Sequence, residues 1–207
     1  MTEDVSELWL NLASWEERSV VNGPGERFVL WVQGCPFRCP GCFNPGFLPF
    51  IQRHRMTVAE VADRIQRVPG IEGVTFSGGD PMAQARGLYH LSRMLKASGL
   101  TVVSYTGYTL EELGRLRNPW ITQFLGCIDL LIDGRFEESR QGSLPWRGSD
   151  NQRLHFLSDA YRHLEAQAQQ PHREVEFIVG SAGFVSTGIF NVEFITRLEH
   201  ALKGGST

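Results

Sequence analysis

Three cysteines, Cys35, Cys39 and Cys42, fall within eight consecutive residues of the segment WVQGCPFRCPGCFNP. Their spacing is C-x3-C-x2-C, and glycine and proline surround them, as in a loop. In a reducing compartment, cysteines clustered in this way are typical of metal or redox chemistry. A cubane iron–sulfur cluster has four irons, so three protein thiolates leave one iron free to bind another ligand. The spacing therefore predicts a 4Fe–4S cluster with an open coordination position.

A single zinc ion is the main alternative for this loop. A structural zinc site usually takes a fourth Cys or His, and no second closely spaced cysteine pair follows in the sequence. The nearest histidine, His54, lies in the polar segment IQRHRM, which is typical of a solvated surface. The remaining cysteine, Cys127, stands alone in the apolar segment GCIDLLID and is predicted to be a core residue.

Strands and helices that would position this loop alternate along the chain. Strands are predicted for LWLNLAS, RSVV, GERFVLWVQG, IEGVTFSGG, TVVSYTG, CIDLLIDG, RLHFLS and VEFIVG. Helices are predicted for MTVAEVADRIQRV with an N-cap at Thr57, and for PMAQARGLYHLSRMLKAS, TLEELGRL, DAYRHLEAQAQ and NVEFITRLEHAL. Such alternation predicts an α/β fold whose strands are mostly parallel. The units are too few for a closed eight-stranded barrel, so we expect a partial, open β/α barrel.

Loops that follow parallel strands meet at one edge of the sheet, where ligands bind in such folds. The cysteine loop, SGGDP, SYTGY and IDGRF all follow predicted strands. We therefore expect these four segments to form one site. Gly78 and Gly79 would let main-chain groups approach a ligand there, although a simple turn before a helix is equally plausible for these glycines alone.

Composition limits the classes of function. The chain has 207 residues, a formal charge of −3 and no long basic run, which disfavours nucleic acid as the main partner. The N-terminus is acidic, and no stretch reaches the roughly 18 apolar residues of a membrane span. We predict a cytoplasmic protein without membrane association. The length predicts one domain over residues 1–207, with an N-terminal β extension at 1–26 and a C-terminal extension at 158–207.

The C-x3-C-x2-C loop resembles the signature of radical S-adenosylmethionine enzymes. In that superfamily, the methionine amino and carboxylate groups of the cosubstrate chelate the free iron, which would explain the absence of a fourth cysteine. SGGDP is similar to the GGEP-type motif that meets the methionine amino group, with Asp80 in place of the glutamate. The resemblance thus implies a radical S-adenosylmethionine barrel and two cofactors, a 4Fe–4S cluster and S-adenosylmethionine.

Further segments narrow the resemblance to the activating enzymes of glycyl radical proteins. VNGPGERFVLWVQGC, SYTGYTLEEL, IDLLIDGRF and WRGSDNQR are similar to segments of the activators of anaerobic ribonucleoside-triphosphate reductases. This match implies formation of a 5′-deoxyadenosyl radical that abstracts a hydrogen from a glycine of a partner enzyme. The implied partners are a glycyl radical protein and an electron donor of the flavodoxin or ferredoxin type.

The resemblance also implies which residues bind the cofactors. The cluster ligands are Cys35, Cys39 and Cys42, and residues at the strand ends would contact S-adenosylmethionine. These are Phe43, Asn44, Ser77, Gly78, Gly79, Asp80, Thr106, Asp133, Ser149, Asn151 and Arg153. For Thr106 and Asp133, an ordinary turn residue is the alternative, and for Ser149, Asn151 and Arg153 it is a surface loop.

Two features depart from the pattern. Gly41 stands where many radical S-adenosylmethionine enzymes have an aromatic residue, although the reductase activators also carry glycine there. Residues from Ser158 onward extend past the matched segments, which leaves the partner open. Two alternatives to an activase therefore remain: a radical enzyme acting on a small molecule or peptide, and a zinc-binding or electron-transfer module without radical chemistry.

Overall fold

The computed structural model describes residues 7–172, 174–180, 183–188 and residue 200. Within these ranges the chain forms nine β-strands and four α-helices. The strands are β1 (Trp9–Ser19), β2 (Arg27–Val32), β3 (His54–Thr57), β4 (Gly73–Gly78), β5 (Thr101–Thr106), β6 (Leu130–Asp133), β7 (Arg153–Phe156), β8 (Val175–Gly180) and β9 (Gly183–Gly188). The helices are α1 (Val58–Gln66), α2 (Ala85–Ala97), α3 (Leu110–Arg115) and α4 (Pro119–Leu125).

Seven strands form one open sheet in the order β3-β1-β2-β4-β5-β6-β7. The central strands β2, β4, β5 and β6 are parallel, and the outer pairs β1/β2, β1/β3 and β6/β7 are antiparallel. Strands β8 and β9 form a separate hairpin. The α/β class is therefore confirmed, with parallel pairing confined to the centre of the sheet and no closure between its two edges.

The two faces of the central sheet have different roles because side chains alternate along a strand. Phe28, Leu30 and Val32 of β2 pack into the main core with α1, α2 and α4. The intervening residue Trp31 lies on the other face of β2 and lines a cavity together with Tyr105 of β5. One face thus supplies the core, and the opposite face is left to form a site.

Helix α1 shows how the local sequence sets these elements. Val58, Val61 and Ile65 are buried at helical spacing against the sheet. Thr57 accepts a hydrogen bond from the backbone of Glu60, and the Glu60 carboxylate accepts one from the backbone of Thr57, which completes a capping box. The predicted N-cap is therefore confirmed.

Several predicted elements differ from the structure. LWLNLAS, from its second residue, and the first two residues of RSVV belong to one strand, β1, in which register shifts at Leu12/Ser14 and Glu16/Ser19 interrupt the alternation. The two valines of RSVV lie beyond the end of β1. DAYRHLEAQAQ forms two 3₁₀ turns, Asp159–Leu164 and Gln167–Gln169, instead of an α-helix. Strands β3 and β9 and helix α4 were not predicted, and NVEFITRLEHAL lies outside the described residues except for residue 200. Across the described residues, no helix is both long and apolar enough to cross a membrane.

A buried arginine joins the start of the sheet to the 3₁₀ turn at 159–164. Arg27 is fully buried, and its guanidinium donates to the hydroxyls of Thr75 and Tyr161 and to the carbonyl of Pro24. The Tyr161 hydroxyl also lies 2.6 Å from the hydroxyl of Thr101. Burial lowers the pKa of Arg27, and the Tyr161 contact opposes that shift. The sequence predicted an α-helix for DAYRHLEAQAQ, whereas the structure forms a 3₁₀ turn there. This turn places Tyr161 against the buried charge of Arg27.

We expect Tyr161→Phe to lower the free energy of unfolding by about 1–3 kcal/mol, since it removes an acceptor from a buried guanidinium. Urea unfolding followed by circular dichroism measures the change. Tyr89→Phe is a matched control, because the Tyr89 hydroxyl makes only a 3.4 Å contact, with exposed Arg93. Equal stability of the two variants would show that the Tyr161 hydroxyl does not support the buried charge.

Candidate functional site

The cysteine loop leaves the end of β2 and is held by backbone hydrogen bonds to its own return segment. The amide of Gly34 donates to the carbonyl of Phe47 at 2.8 Å, and that of Cys35 donates to Leu48 at 3.0 Å. Gly34 has φ +99°, a left-handed conformation that favours glycine. The loop is thus closed on itself and carries its cysteines at fixed positions beside the sheet edge.

The three cysteines line one cavity of about 120 Å³. All are free thiols of intermediate exposure. Burial raises the pKa of Cys35 to about 11 and also raises the pKa of Cys42, so these thiols release protons when they bind metal. The same cavity contains five other residues predicted as cofactor ligands: Ser77, Gly78, Gly79, Asp80 and Thr106. Gly134, Arg135 and Phe136 also line this cavity, so the loops after β2, β4, β5 and β6 converge as the sequence predicted.

The two glycines after β4 are required by close backbone packing. A Cβ on Gly79 would lie 2.2 Å from the carbonyl oxygen of Gly34, and a Cβ on Gly78 would lie 2.6 Å from the amide nitrogen of Val32. The amide of Asp80 donates to the same Gly34 oxygen at 2.9 Å. The absence of side chains at 78 and 79 thus lets the end of β4 contact the start of the cysteine loop.

Asp80 is buried and links the loops after β4 and β5. Its carboxylate accepts hydrogen bonds from the amides of Met82 and Gly107, at 2.9 and 2.8 Å, and from the Thr106 hydroxyl at 3.1 Å. Burial nevertheless dominates and raises the pKa of Asp80 to about 6. The side chain of Asp80 therefore orders the cavity wall, and its charge depends on pH near neutrality.

This raised pKa predicts how stability depends on pH. Between the ordinary pKa of 3.8 and about 6, the folded chain keeps a proton on Asp80 that the unfolded chain has lost. The contribution of Asp80 to the free energy of unfolding should therefore fall by roughly 3 kcal/mol as pH rises through this window and stay constant above it. Urea unfolding of the cluster-free chain from pH 4 to pH 7 tests this. Asp80→Asn should remove that fall, and an unaltered pH profile in the variant would contradict the assignment.

Phe37, between the first two cysteines, anchors the loop on the TGY turn. Its ring packs edge-on against Tyr108 at a centroid distance of 4.6 Å, and the Arg135 guanidinium lies 4.6 Å from the centre of the ring. A Cβ on Gly107 would lie 2.5 Å from the Phe37 ring. Sequence reasoning did not single out Phe37 or Arg135, although the position of Phe37 within the cysteine motif was a signal that pointed to it.

A second cavity of about 310 Å³ adjoins the first and shares Ser77, Tyr105, Phe136 and Gln152 with it. The predicted residues Phe43 and Asn44 line this second cavity. The ring of Phe43 packs on Phe136 at a centroid distance of 4.8 Å. Together the two cavities extend from the cysteine loop across the exposed face of the central sheet.

Thr187 and Gly188 of the β8–β9 hairpin also line the second cavity. The side-chain amide of Asn22 donates to the hydroxyls of Ser19 and Thr187, both at 2.8 Å. The Asn22–Thr187 bond ties the hairpin to the turn between β1 and β2. A segment beyond the matched motifs therefore contributes to the wall of this space.

Four other predicted cofactor ligands are not brought into either cavity. Asp133 accepts from the backbone of Leu110 and from Arg153 at 2.7 Å, and His155 lies 2.9 Å from it. Although burial opposes the shift, these partners hold the pKa of Asp133 well below its usual range. Ser149 accepts a hydrogen bond from the backbone of Glu137. These contacts give Asp133, Arg153 and Ser149 structural partners.

Asn151 is the fourth of these residues. It does not line a cavity itself, but it contacts a residue that does. Its side-chain amide donates to the carbonyl of Arg135, a residue that lines the first cavity. Its neighbour Gln152 faces both cavities, accepts from the amide of Gly148 at 2.8 Å and donates to the carbonyl of Gly134 at 2.9 Å. The prediction passed over Gln152, although it lies in the quoted WRGSDNQR segment.

The three cysteines fit a cubane cluster. Such a cluster needs separate thiolates around a common space, and three free cysteines lining one cavity match that need. His54 is exposed and packs against Trp15 at 5.5 Å, and Cys127 is buried. Neither residue lines the cavity of the three cysteines.

Comparisons with known proteins agree with this site. A family model described as a 4Fe-4S single cluster domain matches residues 21–155. An anaerobic ribonucleoside-triphosphate reductase-activating protein of Vibrio cholerae is 36% identical over 159 residues, covering 70% of this chain and 97% of the relative.

Two further relatives carry the same name. The protein of Escherichia coli K12 is 34% identical over 161 residues, covering 72% of this chain and 99% of its own. The protein of bacteriophage T4 is 35% identical over 146 residues, covering 67% of this chain and 89% of its own. The chain therefore belongs to the family of anaerobic ribonucleoside-triphosphate reductase-activating proteins, with a 4Fe–4S single cluster domain.

Proposed function

We propose that this protein is a radical S-adenosylmethionine activase that generates a glycyl radical on an anaerobic ribonucleotide reductase. The observation that carries the proposal is the convergence of Cys35, Cys39 and Cys42 with the Gly78–Asp80 turn in one cavity. Family membership supports it, since the relatives are named as activators of this reductase. When bound and reduced, the cluster supplies the electron that cleaves S-adenosylmethionine to a 5′-deoxyadenosyl radical.

The residues of the first cavity would hold and orient the two cofactors. Cys35, Cys39 and Cys42 bind the cluster as thiolates, and Gly78 and Gly79 keep the adjoining backbone free of side chains. The exposed edge of that backbone then offers main-chain groups to the amino acid end of the cosubstrate. Asp80 fixes the position of this turn through Met82, Thr106 and Gly107, and Ser77 stands where the two cavities join.

The second cavity would receive the adenosine part and the glycine-bearing segment of the partner. Phe43 and Asn44 border it next to the last cluster cysteine, in keeping with a contact to adenine. Aromatic walls from Trp31, Tyr105 and Phe136 limit access of water to the reacting atoms. Asp133, Ser149, Asn151 and Arg153 stay predicted ligands, although their present partners support a role in shaping the wall.

We infer that the open sheet is the partial barrel of radical S-adenosylmethionine enzymes. The parallel order β2-β4-β5-β6, with loops at the ends of all four strands lining one cavity, supports this assignment. The single-domain reading of 1–207 stays a prediction. The contacts of Tyr161 with Arg27 and of Thr187 with Asn22 support it, because they join the extension to the main sheet.

The test is anaerobic reconstitution with iron and sulfide, followed by dithionite, S-adenosylmethionine and an anaerobic ribonucleotide reductase. Electron paramagnetic resonance should then show a glycyl radical doublet on the reductase. The amount of 5′-deoxyadenosine should rise together with this radical. A reductase in which the radical glycine is replaced by alanine is the control. Deoxyadenosine release without any radical on the reductase would contradict this partner and favour a small molecule or another peptide.

The remaining predictions concern the cell and the electron source. A flavodoxin- or ferredoxin-type donor, a cytoplasmic location and no nucleic-acid partner are all proposed from the sequence. The formal charge of −3 supports the last of these. A non-catalytic zinc module is disfavoured by the cavity that the Gly78–Asp80 turn forms with the three cysteines.

A further inference from the structure

The cysteine loop also faces a second space, which we call the outer groove. It has a volume of about 460 Å³, and its lining includes Cys35, Arg38, Cys39, Pro49 and Phe50. It shares two cysteines with the first cavity, which is lined by all three cysteines. Residues 77–80 and 105–107, which also line the first cavity, do not line the outer groove. Cys35 and Cys39 thus border two separate spaces, the first cavity and the outer groove.

Apolar side chains are exposed beside the outer groove. Phe50 is 69% exposed, Ile51 49% and Trp9 47%, and they rank among the most exposed large apolar residues of the described chain. All three line an adjoining depression with Arg55. A contiguous apolar patch next to a functional loop is typical of a protein–protein contact.

The chain segment that lines the outer groove carries charge of one sign. Residues 27–59 contain four arginines and no Asp or Glu, in a chain whose formal charge is −3. Arg27 is buried, whereas Arg38, Arg53 and Arg55 are exposed, with Arg55 stacked on Trp9 at 4.5 Å. An acidic side chain does approach the loop at Gly41, where a Cβ would lie 2.7 Å from the Glu138 carboxylate carbon. That contact is away from Phe50, which instead packs on Gly34.

The surface is held in place before any partner binds. The side-chain amide of Asn11 donates to the carbonyl of Ile51 at 2.8 Å, and its oxygen accepts from the amide of Arg53 at 2.8 Å. Gln33 donates to the carbonyl of Pro49 at 2.6 Å. A preformed surface loses little conformational entropy on binding, which suits a brief encounter.

We propose that the outer groove, with Phe50, Ile51, Arg38 and Arg53 around it, is the docking surface for an acidic one-electron carrier protein that reduces the cluster. The proposal rests on the proposed function, which requires one electron per turnover. The reduced flavin or iron–sulfur group of the carrier loses one electron, and the cluster on Cys35, Cys39 and Cys42 gains it. No bond forms or breaks in this step.

The geometry favours such a carrier over the reductase as occupant. The reductase must deliver its glycine to the second cavity, and no residue that lines the second cavity borders the outer groove. An electron needs only proximity, and the groove leads directly to the Cys35 and Cys39 thiols. A small apolar centre with a basic rim matches the small, charge-steered interfaces of redox encounters.

The experiment compares two reductants on the reconstituted protein with S-adenosylmethionine. The variant Arg38→Glu/Arg53→Glu reverses the charge of the rim, and Arg67→Glu/Arg115→Glu makes the same charge change at exposed residues elsewhere. With photoreduced flavodoxin at low salt, we expect the rim variant to reduce its cluster roughly tenfold more slowly than the wild type. Its rate should also depend less on salt. With dithionite, deoxyadenosine formation should be unchanged in all three proteins.

Equal flavodoxin rates in the rim variant and the wild type would overturn the proposal. So would a rim variant that takes electrons normally but fails to place a radical on the reductase with dithionite, because the groove would then be a reductase contact. A wild type that forms no deoxyadenosine with dithionite would contradict the proposed function itself, and this inference with it.

Discussion

Replacing any one of Cys35, Cys39 or Cys42 with alanine is expected to abolish formation of 5′-deoxyadenosine. Each thiol lines the same cavity, and a cluster with only two protein ligands loses both its anchorage and the orientation of its free iron. Iron in the reconstituted variants should fall far below the about four atoms per chain of a cubane. Iron analysis and chromatography of the nucleoside products measure both effects.

Cys127→Ala is the matched control for these variants. Cys127 is buried away from the cavity, in the turn between α4 and β6, so its loss should cost about 1 kcal/mol of stability and leave iron content and activity unchanged. Full activity in any of the three loop variants, or loss of iron in Cys127→Ala, would contradict the assignment of the cluster ligands.

Gly79→Ala is expected to have the second large effect, loss of S-adenosylmethionine binding with the cluster retained. The new methyl group would lie 2.2 Å from the carbonyl oxygen of Gly34, a backbone atom that has no rotamer to escape into. The end of β4 must then move from the cysteine loop and lose the Asp80–Gly34 hydrogen bond. We expect the dissociation constant of S-adenosylmethionine to rise by at least about 100-fold, since contacts at such a site require ångström-scale precision. Equilibrium dialysis on the reconstituted protein measures it.

Gly46→Ala provides a control in the neighbouring cysteine loop. Gly46 has no neighbouring heavy atom within 4 Å of a Cβ, and its φ is not positive, so alanine fits without strain. This variant should bind S-adenosylmethionine as the wild type does. A Gly79→Ala protein with the same affinity would mean that the close approach of the two loops is dispensable.

The sequence predicted the elements with strong local signals. Thr57 and Glu60 form the capping box that starts α1, and the apolar runs of β2 and β4 lie in the buried centre of the sheet. It predicted the helix at 159–169 wrongly because Tyr161 is held by Arg27, a contact 134 residues away in the chain. Such long-range contacts override local propensity and leave no periodic signal.

In the candidate site too, the features with local sequence signals were predicted and those that depend on long-range contacts were not. The loops after β2, β4, β5 and β6 were expected to meet because parallel strands place their carboxyl ends at one edge, and all four line one cavity. Asp133 also ends a strand, yet the antiparallel partner β7 supplies Arg153 and His155, which hold its carboxylate. Strand β7 was predicted, but its direction was not. The hairpin residue Thr187 reaches the second cavity through a tertiary contact with Asn22 that no motif encodes.

The central claim is that three thiolates hold a cluster whose free iron binds the cosubstrate. Electron paramagnetic resonance of the dithionite-reduced, reconstituted protein tests this most directly when spectra are recorded with and without S-adenosylmethionine alongside metal analysis. The account predicts about four irons per chain and a cluster signal whose g values shift on addition of S-adenosylmethionine in the wild type but not in Gly79→Ala. One zinc per chain, or a cluster signal indifferent to S-adenosylmethionine in the wild type, would contradict it.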